Sequence, residues 1–269
     1  MVKYVNNMEN INLNMNIGID NNTIHNMTIV TAFIGNINKR EDRKIEHYLE
    51  YGNQLLKVNL PKIVFIDKDT YNEYFLEKIG YYPLTKFIPI EKEDMYLYKY
   101  KEMANKFDIV TGDTKKDTIE FVFVQCMKTE WVKQAIEMNI YNTDQFAWVD
   151  FGIFHFIKDS KALNEGLKQM SSKNYDKVRI PCGKPPDFPY YTRNVYHQII
   201  WMFIGSLFGG GRPALLHFAK KMKEKCIEIL EEKQHLMWEI NVWYLLFFEN
   251  VNVFDRYMSD HSPKILLKY

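Results

Sequence analysis

Two carboxylates directly follow apolar segments of this chain, where they could help to bind a charged ligand. Asp150 comes after Phe146-Ala147-Trp148-Val149, and Asp67 comes after Lys62-Ile63-Val64-Phe65-Ile66. In an open α/β sheet, ligands bind beyond the carboxyl ends of the strands, so a carboxylate there can hold a divalent cation that bridges phosphates. Spacing alone equally allows Asp150 to cap a turn.

The elements that must position these residues alternate along the chain. Short, β-branched apolar runs predict buried strands at 28–34, 62–66, 85–90 and 145–149. Apolar residues at helical spacing predict helices at 40–57, 71–79, 119–139, 213–233 and 236–248. Gly209-Gly210-Gly211 is expected to form a loop before the fourth of these helices. Strands and helices that alternate in this way are typical of an α/β domain with a mostly parallel sheet.

Composition excludes several classes of protein. The 269 residues include 46% hydrophobic residues, and 35 Lys and Arg against 34 Asp and Glu give a net charge of +1. This balance creates no field that would gather nucleic acid. Three widely spaced cysteines favour a reducing compartment over a disulfide framework, so a cytoplasmic location is expected. The apolar runs are too short to predict a transmembrane helix.

Four segments together resemble one bacterial protein family. They are TIVTAF at 28–33, VQCMK at 124–128, AIEMN at 135–139 and FAWVDFG at 146–152. These residues resemble the HtrL/YibB family, also called WlaTC, which is found near lipopolysaccharide and surface-glycan genes. The likeness runs from Thr28 to the C-terminus. Its most specific part is Trp-Val-Asp-Phe-Gly, preceded by the helix that carries Lys128.

The resemblance implies a glycosyltransferase of the GT-A type, with a Rossmann-like, mostly parallel mixed sheet flanked by helices. Such an enzyme moves a sugar from a UDP- or GDP-sugar to a hydroxyl of a glycan or protein acceptor. Residues 1–27, which are rich in Asn, are expected to be a poorly ordered leader, and 28–269 a single domain. Within it, 28–152 would be the nucleotide-binding half and 153–269 the acceptor-side half.

The resemblance also implies a metal site. Asp150 would hold Mn²⁺ or Mg²⁺ on the diphosphate, although this sequence has Asp-Phe-Gly where most such enzymes have Asp-x-Asp. His261, shortly before Lys264, resembles a late metal-binding histidine. One imidazole, one carboxylate and phosphate oxygens would suit Mn²⁺.

Further residues are predicted to contact the donor. Thr31, Ala32, Phe33 and Asp67 would line the nucleotide pocket. Two cations are candidates for neutralising the diphosphate as it leaves, and each has the alternative role of a surface ion-pair partner. They are Lys128 and Arg43.

The acceptor side has its own candidates. Gly209 and Gly210 would border the donor sugar or the acceptor, and Tyr191 and Arg193 would contact the acceptor. Glu239 would be the general base if the reaction inverts the anomeric centre, and would only orient the sugar if it retains.

One cluster of aromatic residues is predicted to belong to the core because its sequence neighbours are apolar. The cluster comprises Trp201, Phe203, Phe208, Trp243, Tyr244, Phe247 and Phe248. Two other functions remain open. One is a sugar nucleotidyltransferase, and the other is a non-catalytic glycan-binding protein with the same fold.

Overall fold

A computed structural model describes residues 25–35, 37, 44–109, 113–155, 159–185 and 195–269. Within these residues, seven strands form one sheet. The strands are β1 (Met27–Phe33), β2 (Lys62–Asp67), β3 (Thr85–Ile90), β4 (Gln145–Val149), β5 (Val178–Cys182), β6 (Leu207–Gly211) and β7 (Phe254–Met258). The described part of the chain thus forms a single α/β domain, as the alternation predicted.

The α-helices are α1 (Ile45–Leu56), α2 (Lys68–Thr70), α3 (Lys101–Ala104), α4 (Ile119–Met138), α5 (Ser160–Ser171), α6 (Arg212–Glu228), α7 (Glu239–Glu249) and α8 (Lys264–Leu267). Short 3₁₀ helices span Leu76–Tyr81, Lys92–Asp94, Tyr98–Tyr100, Ile153–His155 and Val251–Val253. Two π-helical turns span Tyr71–Phe75 and Ile229–Lys233. No helix in the described ranges combines the length and the apolar character that crossing a bilayer requires.

The order in which the chain adds strands to the sheet reverses between β1 and β4. Its strand order is β3-β2-β1-β4-β6-β5-β7, and the first four strands in this order are parallel. The chain moves outward from β1 to β2 and β3, and then returns through α4 to place β4 on the other side of β1. β6 is antiparallel to both β4 and β5, while β7 is parallel to β5. The boundary between β1 and β4 is therefore a topological switch point, the usual place for a ligand in an open α/β sheet.

Helices cover both faces of the sheet. Successive residues of a strand point to opposite faces, so alternate residues pack against different helices. Val30 and Trp148 belong to the same buried cluster as Trp131 of α4. The alternate positions Ile29 and Val149 instead pack in a second cluster that contains Leu55 of α1. Both faces of the central strands are therefore dry, which explains why their sequences are uninterrupted apolar runs.

α4 is held by caps at both ends. The Thr118 side chain accepts a hydrogen bond from the Phe121 amide (3.1 Å), and Asn139 ends the helix in the left-handed conformation with φ of 37°. The helix lies directly before β4 in sequence and contacts both β1 and β4. It therefore holds its buried side chains beside the switch point.

Two predictions about local structure were wrong. The segment 71–79 is not an α-helix, because a π turn and then a 3₁₀ helix follow the single turn of α2. Gly209-Gly210-Gly211 is not a loop but part of β6, and Gly210 has φ of +146°. A Cβ on Gly210 would lie 2.4 Å from the Lys177 carbonyl oxygen, so this position in the strand requires glycine.

Other predicted features lie outside the described residues, wholly or in part. These are the leader through residue 24 and the first residues of the helix predicted at 40–57. The described part of that helix begins at Ile45.

Candidate functional site

A cavity of about 400 Å³ opens at the carboxyl ends of β1 and β4. Ala32 and Phe33 of β1 line one side of it, and Asp150 and Phe151, which follow β4, line another. The cavity thus lies at the switch point of the sheet, where this fold class binds its ligands.

Lys128 lines this cavity, and its ammonium group contacts three polar groups of the protein. It donates hydrogen bonds to Glu239 Oε1 (2.9 Å) and to the Gly205 carbonyl oxygen (2.9 Å), and it lies 3.1 Å from Asp150 Oδ1. Lys128 is 2% exposed. One nitrogen thus links α4 to three segments that are distant in sequence, namely the end of β4, the segment just before β6 and the start of α7.

The charge of Lys128 is stabilised by its two carboxylate partners. Burial by itself would lower the pKa of the ammonium, but Asp150 and then Glu239 more than offset this effect, so the pKa of Lys128 is raised above its ordinary value. Lys128 is therefore a cation at every physiological pH.

The Trp-Val-Asp motif has a direct structural explanation. Trp148 and Asp150 are two residues apart on an extended segment, so their side chains point to the same side. The Trp148 Nε1–H donates to Asp150 Oδ1 (2.7 Å), and the indole is stacked on Trp131 with an interplanar angle of 13°. The Asp150 amide also donates to the Ser206 carbonyl oxygen (2.9 Å). These contacts fix the Asp150 carboxylate, whose side chain is still 35% exposed toward the cavity.

Glu239 enters the site as the first residue of α7, where the positive end of the helix dipole favours a carboxylate. It is 1% exposed, and its Oε2 atom has no hydrogen-bond partner among the described residues. A Cβ on Gly205 would lie 2.4 Å from Glu239 Oε1. The glycine is therefore what lets this carboxylate approach the chain segment just before β6.

Two more buried polar atoms belong to residues that line the cavity. They are the Ser206 hydroxyl oxygen and Trp238 Nε1, and neither has a partner within the described ranges. Buried polar groups without partners cost free energy, and native structures contain few of them. Together with Glu239 Oε2, they favour a ligand that both donates and accepts hydrogen bonds.

Cations and aromatic rings also line the cavity. Lys44 and Lys116 line the cavity, and the Lys116 ammonium lies 4.1 Å from the centre of the Trp238 ring and 4.0 Å from Asp117. Trp201 meets Trp238 edge to face at 5.7 Å and is 44% exposed. Lysines suit an anionic ligand, and an exposed indole suits the apolar face of a sugar or a base.

The structure brings six of the predicted site residues together. Those that line the cavity are Ala32, Phe33, Lys128, Asp150, Glu239 and His261. Lys128, expected to act on a phosphate or on the surface, instead has its ammonium enclosed by protein acceptors. Three other predicted site residues lie outside the described ranges, namely Arg43, Tyr191 and Arg193.

Four predicted contacts are not among the residues that line the cavity. Thr31 is fully buried within β1, and Gly209 and Gly210 are buried in β6 beside β4. Asp67 accepts hydrogen bonds from the amides of Gly35 (2.7 Å) and Thr70 (2.9 Å), so it caps α2 and holds the segment after β1. Its carboxylate therefore has a structural role.

Sequence reasoning missed several residues of the wall. Trp201 was assigned to the core because its neighbours are apolar, but it and Phe248, 47% exposed, are the two members of that cluster for which burial was wrong. Lys44, Lys116 and Trp238 carry no local motif. Ser206 stands between Gly205 and Leu207-Phe208, and no local motif marks it either.

The donor set does not suit a divalent metal ion well. Asp150 and His261 line the same cavity, but Asp150 Oδ1 already contacts the Lys128 ammonium and accepts the Trp148 N–H. No group of three or more His, Cys, Asp and Glu side chains in the described segments could hold a metal ion. A resident ion would have to share its carboxylate with a buried cation.

Comparison with known proteins places the chain in a family. Among solved structures it is similar to mouse xyloside xylosyltransferase 1 in its apo form, with 8% identity, a TM-score of 0.47, and coverage of 86% of this chain and 84% of that one. It is also similar to 4-diphosphocytidyl-2C-methyl-D-erythritol synthase from Anaerococcus prevotii DSM 20548, with 9% identity, a TM-score of 0.42 and 87% coverage of each chain. With TM-scores below 0.5, neither likeness bears on the function. No curated protein matches the sequence.

The family model for HtrL_YibB, described as a bacterial protein of unknown function, matches residues 25–230. This range includes Lys128 and Asp150, and it ends before Glu239. Because the match covers most of the chain, the protein belongs to the HtrL/YibB family, as its four sequence segments predicted.

Proposed function

We propose that this protein is a glycosyltransferase that moves a sugar from a UDP- or GDP-linked donor to a hydroxyl of a glycan or protein acceptor. The observation that carries this assignment is the pair of carboxylates, Asp150 and Glu239, that one buried ammonium holds at the switch-point cavity. Paired carboxylates are the groups that glycosyl transfer needs, because its transition state develops positive charge on the sugar ring.

The cavity offers a place for each part of such a donor. Lys44 and Lys116 would attract the diphosphate, and the exposed face of Trp201 would pack against an apolar sugar or base surface. Glu239 Oε2 and the Ser206 hydroxyl, both buried without partners among the described residues, would bind hydroxyl groups of the sugars. Each unsatisfied polar atom would then gain the hydrogen bond that it lacks in the free protein.

Glu239 is the first candidate for the general base. Its Oε1 atom is engaged by Lys128, whereas Oε2 is available to take the proton of an acceptor hydroxyl. In an inverting reaction, the acceptor oxygen would form a bond to the anomeric carbon as the bond to the diphosphate breaks, and Glu239 would receive the hydroxyl proton. In a retaining reaction, the same atom would orient the sugar. Asp150 would stabilise positive charge on the ring in either case.

A donor screen tests this function. The protein is incubated with a panel of UDP- and GDP-sugars, with and without Mn²⁺, and release of nucleoside diphosphate is measured. Glu239→Gln should lower the release at least about tenfold, which corresponds to about 1.4 kcal/mol of barrier. Glu249→Gln is the matched control, because this residue is an exposed member of the same helix that pairs with Lys225. It should behave as the wild type.

Two results would redirect the assignment. Pyrophosphate release from a nucleoside triphosphate and a sugar 1-phosphate would indicate a sugar nucleotidyltransferase. Binding of a nucleotide sugar without detectable transfer or hydrolysis would instead favour a non-catalytic binding protein. Loss of donor hydrolysis in Asp150→Asn, but not in Asp144→Asn at the other end of β4, would exclude that second outcome.

A further inference from the structure

The cation position between the two carboxylates is already occupied by a part of the protein. The Lys128 nitrogen lies 2.9 Å from Glu239 Oε1 and 3.1 Å from Asp150 Oδ1, and its third contact is the Gly205 carbonyl oxygen at 2.9 Å. An ammonium group has three N–H donors. All three are therefore matched by acceptors of the chain itself.

We infer that this cavity binds the diphosphate of its donor without a divalent metal ion, with Lys128 as the fixed cation between Asp150 and Glu239, an inference that rests on the proposed function. A metal ion on the same carboxylates would lie a few ångströms from the ammonium. At that distance like charges repel each other strongly in a partly buried site. A metal ion placed between Asp150 Oδ1 and Glu239 Oε1 would require the Lys128 side chain to leave a place where it is 2% exposed.

The charge of the ligand is balanced by other groups of the cavity. Lys44 and Lys116 both line it, whereas the charges of Asp150 and Glu239 are paired with Lys128. Lysine ammonium groups bind phosphate oxygens as point charges. Lys128 is then a positioning residue, because it holds both carboxylates in place but has no N–H left for the ligand.

Calorimetric titration of UDP and GDP into the wild-type protein tests the inference directly. We expect the dissociation constant measured in EDTA to agree with that in Mn²⁺ or Mg²⁺ to within about threefold. Lys116→Gln should weaken binding about tenfold in EDTA, and added salt should weaken wild-type binding as well. Binding that appears only with a divalent ion would overturn the inference and leave the proposed function standing. Absence of binding in both conditions would overturn both.

A variant of the ammonium itself gives a second test. Lys128→Met removes the cation but keeps a long apolar side chain, so it leaves two carboxylates facing one another. We expect Mn²⁺ alone to raise the melting temperature of Lys128→Met and to leave that of the wild type unchanged. Lys133→Met is the matched control, since Lys133 lies on the same helix, is partly exposed, and pairs with Glu130 and Glu137.

Each outcome of this second test decides something. A rise in the melting temperature of the wild type with Mn²⁺ would contradict the inference, as would a folded Lys128→Met protein that does not respond to Mn²⁺. Should the variant not fold, the titration of the wild type in EDTA still decides.

Discussion

Two lysines are buried among the described residues, Lys62 and Lys128, and their ammonium groups have different kinds of partner. The Lys62 ammonium donates to the carbonyl oxygens of Val58, Leu60 (2.8 Å) and Pro83 (3.2 Å). Lys128 also has three acceptors, but two of them are carboxylates. One ammonium is therefore surrounded by neutral dipoles, whereas the other is surrounded by full negative charges.

The two lysines lie at opposite edges of the sheet. Lys62 is the first residue of β2, and its acceptors lie in the loops that enter β2 and β3, so it ties these loops together at the amino edge. Lys128 lies at the carboxyl edge, where ligands bind. Burial lowers the pKa of Lys62 to about 7, while the carboxylates raise that of Lys128. Only the site at the carboxyl edge therefore combines a buried cation with carboxylates that could act on a bound ligand.

The largest effect is expected when Lys128 is removed. Lys128→Met should lower the free energy of unfolding by about 3–5 kcal/mol, because it leaves two carboxylates of the site without their cation. Urea denaturation at pH 7 measures this loss. Lys133→Met, which removes the ion pairs of a partly exposed lysine, should cost less than about 1 kcal/mol. Equal losses in the two variants would show that Lys128 is not the centre of a charge network.

Removal of Lys62 should cost less. Lys62→Met leaves three carbonyl groups without a donor, and neutral acceptors that lose a partner cost about 1–3 kcal/mol in total. The same denaturation experiment at pH 7 compares the two variants. A loss larger than that of Lys128→Met would contradict the distinction between dipoles and charges.

The glycine beside Glu239 provides a third test. Gly205→Ala places a methyl group 2.4 Å from the Glu239 Oε1 atom and should cost about 1–2 kcal/mol, because the carboxylate or the backbone must move. Gly80→Ala is the control, since a Cβ there meets nothing within 4 Å. If both variants unfold at the same urea concentration, the close approach at Gly205 is unimportant for stability.

The two lysines should also differ in how their contributions to stability depend on pH. The pKa of Lys62 is about 7 in the folded protein and about 10.5 when unfolded, so the unfolded chain binds more protons between these values. The contribution of Lys62 is therefore full above the unfolded pKa and is lost as pH falls toward 7, by at most about 1.4 kcal/mol per pH unit. The cost of Lys62→Met should thus grow from pH 7.5 to 9. The cost of Lys128→Met should stay constant over this range, because Lys128 is charged in the folded state, where its pKa is raised, and also in the unfolded state, where its pKa has the ordinary value.

The central strands could be predicted because their signal is local. β4 is buried on both faces and has the bounds that its apolar run indicated, since such a strand needs only that run and a clear stop. The edge strand β3 is only partly buried, but it too has the predicted bounds. β6 was missed because its three glycines show no side-chain pattern. β7 was missed because Asp255 and Arg256 interrupt its apolar character.

The site was predictable residue by residue but not as an assembly. Asp150 and Glu239 were found from a family motif and from a helix start. Their shared contact with Lys128 joins α4 to a residue 111 positions away, and no local pattern encodes such a pair. The apolar neighbours of Trp201 pointed to the core, yet tertiary structure left its ring 44% exposed at the cavity. Only the fold decides which members of an aromatic segment face a ligand.

Tryptophan is concentrated around this cavity, and this has a practical consequence. The chain has five tryptophans, and Trp148, Trp201 and Trp238 all line the cavity. Trp148 also donates to Asp150, while Trp201 and Trp238 are in edge-to-face contact. A nucleotide that enters the cavity would change the surroundings of three of the five indoles at once. The unlabelled protein thus carries its own optical reporter, and quenching of its intrinsic fluorescence would record occupancy of the cavity at protein concentrations too low for calorimetry.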